Sequence, residues 1–271
     1  MENYSVLMSV YYKEKPIYLQ ESLDSMLHQT ISPDEIVLVR DGPLTPDLNI
    51  VLQAYTNKYK NIKIIKLKRN IELARALNIG LKHCKNELVA RMDTDDISKP
   101  ERCETQLKFL EEHPNIDMIG SYAAEFSKSI EEIENIKTVP QTYLEIVKFI
   151  KTRNPFNHPS VMYKKSKVLS IGGYKHFRGF EDYYLWIKMI NNGLVVANIK
   201  KVLIYMRTTE EMFKRRGGVS YFKDMLTLAK YLKMKNLMST LEFYRFITLR
   251  GIVILMPNTL RALFYKIFLR Q

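Results

Sequence analysis

Residues 87–96 read Glu-Leu-Val-Ala-Arg-Met-Asp-Thr-Asp-Asp, and within this stretch a short apolar run ends in three carboxylates. The run is typical of a buried strand, and Asp93, Asp95 and Asp96 follow its carboxyl end. Ligands bind at this end of the strands in an open parallel α/β sheet. Clustered carboxylates repel one another unless a cation is present, and their oxygens suit Mg²⁺ or Mn²⁺, which in turn bind phosphate. The stretch therefore predicts a metal and diphosphate site at the edge of a sheet.

The same stretch also has a purely structural interpretation, which remains open at this point. Acidic residues are common in turns. A helix would then follow the turn, with Ser98 as its N-cap and Pro100 at its first position. The choice between a turn and a metal site depends on the partners that the rest of the chain supplies.

Strand-like and helix-like segments alternate around this stretch through the first 126 residues. Strand–helix alternation with short links predicts a parallel sheet with right-handed crossovers. The predicted strands are 4–10, 35–40, 62–67, 87–92 and 117–126, and the predicted helices are 16–28, 46–59, 72–85 and 100–113. Beyond them the pattern is less regular, with strands at 160–164 and 194–206 and helices at 181–192, 219–238 and 240–270.

The composition bounds the class of protein. A chain of 271 residues with 46% hydrophobic residues is long and apolar enough to build a globular core. Cys84 and Cys103 lie far apart, which argues against a zinc site or a disulfide framework and favours a reducing cytoplasm. Neither a signal-peptide pattern nor an apolar run of membrane-spanning length is visible in the sequence. We therefore expect a cytoplasmic protein.

The net charge of +13 implies an anionic partner: nucleic acid, acidic lipid or a diphosphate. The excess is concentrated near the end of the chain. From Lys200 onward there are 15 Lys or Arg residues against four Asp or Glu residues, so this part holds about +11 of the charge.

Two further segments of the first half carry candidate ligand-binding groups. Asp41 closes a predicted strand and precedes Gly42, so its carboxylate can accept a hydrogen bond from a closely approaching ligand, or else form an ordinary turn. Arg75 lies near the start of the helix that follows Asn70, where a guanidinium and the helix dipole together favour phosphate. A solvated arginine is the alternative there.

The second half contains a pair of acids, Glu181 and Asp182, at the start of a helix that carries the only tryptophan, Trp186. The helix dipole alone accounts for acids at this position. A carboxylate beside an apolar wall of aromatic residues also has a raised proton affinity, which suits a general base. The segment is therefore either a helix start or a catalytic site.

A proline-rich loop and a basic loop complete the set of candidates. His158 lies between Asn157 and Pro159, either as a hydrogen-bonded structural residue or as a ligand. Arg207 and the run Lys214-Arg215-Arg216 precede two glycines, and arginine side chains match the geometry of diphosphates. A solvated basic surface is the alternative for this run.

The order of these motifs resembles that of the family 2 glycosyltransferases of the GT-A fold, over about residues 4–218. The ARMDTDD, FEDYYLW and RRGG versions are most similar to bacterial enzymes that build O-antigen or capsule repeat units. Several of those are similar to β-1,3-glucosyl- or galactosyltransferases that act on an undecaprenyl-diphosphate-linked sugar. The motifs are a strand ending Ser9-Val10-Tyr11, then VRDG, NIELARALNIG, ARMDTDD, NHPSVMY, GFEDYYLW, Arg207 and RRGG.

The resemblance implies an α/β fold with a mostly parallel, Rossmann-like sheet flanked by helices and a C-terminal helical extension. It implies a catalytic domain over 1–218, with a nucleotide-binding part at about 1–126 and an acceptor part at about 127–218. A basic amphipathic helical region follows at 219–271. The implied activity is metal-dependent, inverting transfer of a hexose from UDP-glucose or UDP-galactose to a lipid-diphosphate-linked sugar.

On the donor side, the resemblance implies that Tyr11 and Asp41 hold uracil. Asp95 would ligate Mn²⁺ or Mg²⁺ against the diphosphate, and Asp93 would lie near the ribose and the metal as a second metal residue. Many relatives have DDGS where this chain has Arg40-Asp41-Gly42-Pro43, so the contacts beside Asp41 differ. The arginines assigned to the donor or to phosphates are Arg75, Arg207, Arg215 and Arg216.

On the acceptor side, the resemblance implies that Asp182 is the general base and that Glu181 binds the acceptor or orients the site. His158 and Trp186 would also contact the acceptor. A lipid-linked acceptor implies that the enzyme works peripherally at the inner leaflet of the cytoplasmic membrane. The basic, aromatic segment 242–270 would lie in the membrane interface or pack on the catalytic domain.

Two other classes of protein compete with this interpretation. A nucleic-acid-binding protein accounts for the charge but not for the acids, which repel a phosphate backbone. A phosphatase with Asp93 as its nucleophile does not need Glu181 and Asp182.

Overall fold

The computed structural model describes residues 2–177, 179–209 and 217–256. A nine-stranded sheet runs through this part of the chain, in the order β3-β2-β1-β4-β8-β6-β9-β5, with β7 paired to β6. The strands are β1 Tyr4–Val10, β2 Glu35–Arg40, β3 Ile62–Lys66, β4 Leu88–Arg91, β5 Ile97–Ser98, β6 Met118–Phe126, β7 Asn135–Lys137, β8 Met162–Lys164 and β9 Val196–Arg207.

Helices cover both faces of this sheet. Pro16 and Pro46 stand at the starts of their helices, as the sequence predicted. A short 3₁₀ turn also spans His158–Ser160. The helices are α1 Pro16–Leu27, α2 Pro46–Lys58, α3 Leu73–His83, α4 Arg102–Glu112, α5 Tyr143–Phe149, α6 Lys165–Ser170, α7 Glu181–Asn191, α8 Gly218–Met234 and α9 Thr240–Leu255.

The first strand shows why the sheet is buried on both faces. Val6 and Met8 pack into one apolar cluster with α1 and α2, whereas Leu7 packs into a second cluster with α3. Side chains alternate across a strand, so a run that is apolar at every position must be covered on both sides. The strands β1, β2, β3 and β4 are mutually parallel, and their carboxyl ends therefore share one edge.

The second half of the sheet adds antiparallel strands to the mostly parallel sheet that was predicted, and it corrects one local prediction. β8 lies antiparallel between β4 and β6, and β5 lies antiparallel to β9. Ser98 is not an N-cap: it lies in β5, where its buried hydroxyl accepts a hydrogen bond from Gln29, and α4 begins later, at Arg102. The pairing with β9 is long-range, so the local helix-start signal did not reveal it.

The two C-terminal helices pack on the rest of the protein. Met225 and Leu228 of α8 and Phe246 and Ile254 of α9 are buried in the same apolar cluster as Trp186. Part of the tail therefore packs on the domain, as one of the two sequence alternatives expected. Residues 257–271 lie outside the described part of the chain.

Candidate active site

The three acids that follow β4 converge. One carboxylate oxygen each from Asp93, Asp95 and Asp96 lies within 4.8 Å of the others. The strand β4 ends at Arg91 beside the carboxyl end of β1, and this places the acids at the edge where parallel strands expose ligand sites. Three carboxylate oxygens at this spacing are a donor set that fits a small divalent cation.

Burial and mutual repulsion make this cluster favourable for a cation. Burial, followed by the charges of the neighbouring carboxylates of Asp93 and Glu14, raises the pKa of Asp95 to about 7. Burial, followed by the charges of Asp95 and Asp93, raises the pKa of Asp96 well above its ordinary value. A bound divalent cation would offset this repulsion and favour the ionised forms.

Asp96 and Arg207 join the acidic segment to β9. The backbone N–H of Arg207 donates to Asp96 Oδ1 at 2.7 Å, and Arg207 Nε donates to the carbonyl of Asp95 at 3.0 Å. The guanidinium also pairs with Glu21 and lies 3.9 Å from the centre of the Tyr18 ring. Asp96 and Arg207 thus fix the loop in this structure, and the phosphate contact assigned to Arg207 stays a prediction.

The VRDG turn packs against the loop that precedes α3. Asp41 Oδ1 accepts a hydrogen bond from the backbone N–H of Ile71 at 2.8 Å. Gly42 has a φ of +89°, and a Cβ at this position would lie 2.6 Å from the backbone nitrogen of Asn70. Only glycine fits this approach without strain. Asp41 is buried, and burial raises the pKa of its carboxyl although the N–H groups of Ile71 and Glu72 lower it.

Tyr11 follows β1 directly and is half-buried, so it stands at the same edge of the sheet as the acids after β4. Arg75 is exposed in the first turn of α3. Arg215 and Arg216 lie outside the described residues. The roles assigned to these four residues stay predictions.

The second pair of acids begins α7. Asp182 Oδ2 accepts a hydrogen bond from Asn154 Nδ2 at 2.6 Å, and its Oδ1 accepts one from the backbone N–H of Tyr183 at 2.7 Å. Burial raises the pKa of Asp182, and these two donors oppose that shift. Burial also raises the pKa of Glu181, to about 7. Both carboxyls are half-buried, so they combine raised proton affinity with access.

His158 joins the proline-rich loop to the turn after α6. Its Nε2 lies 3.0 Å from the hydroxyl of Tyr174, and its ring lies 6.0 Å from that of Trp186, which is fully buried. Burial, followed by the charge of Arg91, lowers the pKa of His158 well below its usual value, so the imidazole is neutral. Asn78 on α3 holds the backbone of Tyr174 through hydrogen bonds of 2.6 and 2.8 Å.

Four residues whose roles were not predicted from the sequence contribute to this site: Glu14, Asn78, Arg91 and Asn154. Glu14 accepts a 2.6 Å hydrogen bond from Thr94 beside the acids, and Asn154 holds Asp182. Arg91 pairs with Asp93 and also acts electrostatically on Asp182 and His158. Of these four residues, only Arg91 has a local signal in the sequence, because it is a charged residue in an otherwise apolar strand.

The geometry agrees with comparisons to known proteins. Residues 5–171 match the family described as Glycosyl transferase family 2, and the chain belongs to that family. It is 38% identical over 268 residues to an Escherichia coli UDP-Gal:alpha-D-GlcNAc-diphosphoundecaprenol beta-1,3-galactosyltransferase, covering 99% of this chain and 97% of that one. It is also 38% identical over 266 residues to the Erwinia amylovora amylovoran biosynthesis glycosyltransferase AmsE, covering 97% of this chain and 98% of that one.

Among solved structures, Staphylococcus aureus TarS 1-349 in complex with UDP-GlcNAc superposes with a TM-score of 0.66. The match has 21% sequence identity and covers 84% of this chain and 65% of that one, so it bears on the fold alone. The predicted GT-A fold is thereby confirmed. Membership of the family places the chain among the glycosyltransferases and not among the nucleic-acid-binding proteins or phosphatases.

Proposed function

We propose that this protein is an inverting, metal-dependent hexosyltransferase of bacterial surface polysaccharide synthesis, such as that of O-antigen or capsule. It moves glucose or galactose from the UDP-sugar to a sugar carried on a lipid diphosphate. The observation that carries the proposal is the convergence of Asp93, Asp95 and Asp96 at the carboxyl edge of the parallel strands. The likeness to the galactosyltransferase over nearly the whole of both chains supports the choice of substrates.

On the donor side, Tyr11 and Asp41 hold the uracil. Asp95 would ligate Mn²⁺ or Mg²⁺ with Asp93 beside it, and the cation would supply charge stabilisation for the diphosphate. The hydrogen bond from the N–H of Ile71, together with burial, fixes the orientation of the Asp41 carboxylate. Arg75 is exposed at the start of α3, where it is free to approach phosphate oxygens. Arg207, Arg215 and Arg216 complete the proposed phosphate contacts.

On the acceptor side, Asp182 is the general base. The acceptor hydroxyl oxygen forms a bond to C1 of the hexose, the bond from C1 to the diphosphate oxygen breaks, UDP leaves and Asp182 takes the hydroxyl proton. Asn154 and the N–H of Tyr183 hold the carboxylate in one orientation for this transfer. Glu181, His158 and Trp186 form the proposed acceptor contacts around it.

The test is transfer assayed with a panel of UDP-sugars and a synthetic lipid-diphosphate-linked N-acetylglucosamine, first with Mn²⁺ and then with a chelator. We expect product with UDP-galactose or UDP-glucose in Mn²⁺, and none in the chelator. Product with neither sugar would contradict the proposed donor. Unchanged turnover in the chelator would contradict the metal dependence.

The acceptor also implies work at a membrane surface. No helix among residues 2–177, 179–209 and 217–256 is long and apolar enough to cross a bilayer. The outer side of α9, however, carries an exposed stripe at helical spacing that includes Arg245 as well as apolar residues. A basic helix with an apolar face binds an anionic lipid interface. Five large apolar side chains of this α9 stripe are more than half exposed: Leu241, Tyr244, Leu249, Ile252 and Leu255.

We expect the doubly substituted Leu249→Glu, Ile252→Glu protein to lose most of its binding to vesicles of phosphatidylglycerol and phosphatidylethanolamine. Each change replaces an exposed apolar contact by a carboxylate that the anionic surface repels, and sedimentation with the vesicles measures the loss. The control is Ile50→Glu with Leu144→Glu, which makes the same change of charge at exposed sites on α2 and α5. Equal sedimentation of the two variants would contradict the assignment of the α9 stripe.

A further inference from the structure

Arg91 is a buried cation in contact with the acidic cluster through Asp93. It is the last residue of β4 and is 1% exposed. Its Nη2 pairs with Asp93 Oδ1, while Nε and Nη1 have no hydrogen-bond partner among the described residues. A guanidinium remains charged in a protein interior, so a buried and incompletely hydrogen-bonded one is costly to retain. Such a charge calls for an explanation beyond packing.

The charge of Arg91 acts on several acidic groups of the site, and also on His158, Tyr163 and Tyr174. Besides Asp93, its charge acts on the carboxyls of Asp95 and Asp96 and on that of Asp182. Arg102, another buried arginine nearby, differs in this respect. Its guanidinium donates to the carbonyls of Arg91 and Val161 and to Gln106, which is the pattern of a structural residue.

We propose that Arg91 is the counter-charge of the metal site: it weakens binding of a divalent cation to the empty site and favours binding of the cation together with the donor diphosphate. The three carboxylates carry three negative charges when they are ionised. A divalent cation supplies two positive charges and Arg91 supplies the third, so together they balance the charge of these three carboxylates. Without Arg91 one negative charge of the cluster is left unbalanced, and it repels the diphosphate.

The proposal rests on the proposed metal-dependent transfer, and it predicts effects of opposite sign. In Arg91→Met the cation no longer meets a positive neighbour, so at a pH where the three carboxyls are ionised Mn²⁺ alone should bind at least about tenfold more tightly. At saturating Mn²⁺, UDP should bind at least about tenfold more weakly, because the site now carries net negative charge. A residue that only holds Asp93 in place would weaken both equilibria when it is removed.

The experiment is a titration of the full chain with Mn²⁺ alone, followed by electron paramagnetic resonance of free Mn²⁺, and a calorimetric titration with UDP at saturating Mn²⁺. Arg91→Lys, which keeps the charge, is expected to bind Mn²⁺ as the wild type does. Arg91→Gln, which removes the charge and keeps an N–H donor for Asp93, is expected to match Arg91→Met. It serves in place of Arg91→Met if the methionine variant does not fold.

The control is Lys85→Met, which removes the positive charge of the ion pair between Lys85 and Asp34. This pair lies near the amino ends of β2 and β4, whereas the acids follow the carboxyl end of β4. Lys85→Met should leave both affinities unchanged. Weaker Mn²⁺ binding in Arg91→Met or Arg91→Gln would overturn the role of Arg91. The role would also be overturned if Lys85→Met changed the affinities for Mn²⁺ and UDP as much as Arg91→Met does. A wild-type protein that binds no Mn²⁺ with or without UDP would instead overturn the metal dependence of the proposed function, so the two failures are distinguishable.

Discussion

Asp182→Asn is expected to lower turnover by about two to four orders of magnitude, the usual contribution of a general base, while UDP still binds. The amide has the size of the carboxylate and can still accept the hydrogen bond from Asn154, but it cannot take the acceptor proton. Turnover is measured with donor and acceptor at saturation, and UDP binding by calorimetry in Mn²⁺. Near-normal turnover in this variant would remove Asp182 from the role of base.

The matched control is Glu181→Gln, the same change at the preceding residue. Glu181 is proposed to contact the acceptor, so its loss should act mainly on the acceptor KM. A larger fall in turnover for Glu181→Gln than for Asp182→Asn would exchange the two assignments.

The pH profile gives an independent test of the same base. A carboxylate base works only when ionised, so the rate falls as the pH falls through its pKa. Burial raises the pKa of Asp182, and the hydrogen bond from Asn154 lowers it by stabilising the charged form. Asn154→Ala removes that donor, so the acidic limb of the profile should move to higher pH. An unmoved limb would show that another group controls it.

The sequence predicted the first half of the fold well because its signals there are local. Strands β1 to β4 are rich in apolar residues, and prolines mark the starts of α1 and α2. Each element could therefore be recognised without knowing its neighbours. The edge shared by Tyr11, Asp41 and the acids after β4 then followed from parallel pairing, and the structure has that pairing.

The second half shows where such reasoning fails. The insertion of β8 between β4 and β6 depends on pairs such as Val89 with Tyr163, more than 70 positions apart in the chain. The hydrogen bond from Asn78 to the backbone of Tyr174 joins residues that are 96 positions apart in the chain. Neither has a local pattern, because amide side chains and short strands take their roles from partners brought by the fold. The boundaries proposed at residues 126 and 218 likewise stay predictions.

The candidate site divides in the same way. The acids could be found from the sequence because carboxylates after a strand are conspicuous, and Asp182 because it begins an aromatic helix. Arg91 and Asn154, which act on the charges of these acids, were missed because only the folded structure shows which carboxylates they contact. A sequence can therefore indicate which groups react more readily than which groups tune them.

Asp95→Ala is the second change with a large expected effect. It removes a proposed ligand of the cation, whose charge stabilisation is worth several kcal/mol, so turnover should fall by at least about 10²–10³-fold. Asp95→Ala should nevertheless stabilise the folded protein when a chelator keeps it free of metal. Burial and the repulsion from Asp93 disfavour the ionised Asp95 carboxyl, so its removal should raise the melting temperature of the metal-free protein at neutral pH.

Thermal unfolding with and without Mn²⁺ separates this assignment from a simple loss of structure. Mn²⁺ binds the folded wild type and should raise its melting temperature, because a ligand of the native state stabilises it. The shift should vanish in Asp95→Ala and persist in Asp34→Ala, which removes an acid at the opposite edge of the sheet. If Asp95→Ala kept both the Mn²⁺ shift and its turnover, the cation would be held elsewhere. If it lost turnover but kept the shift, Asp95 would act on the donor without holding the cation, because the stabilising site would still be intact.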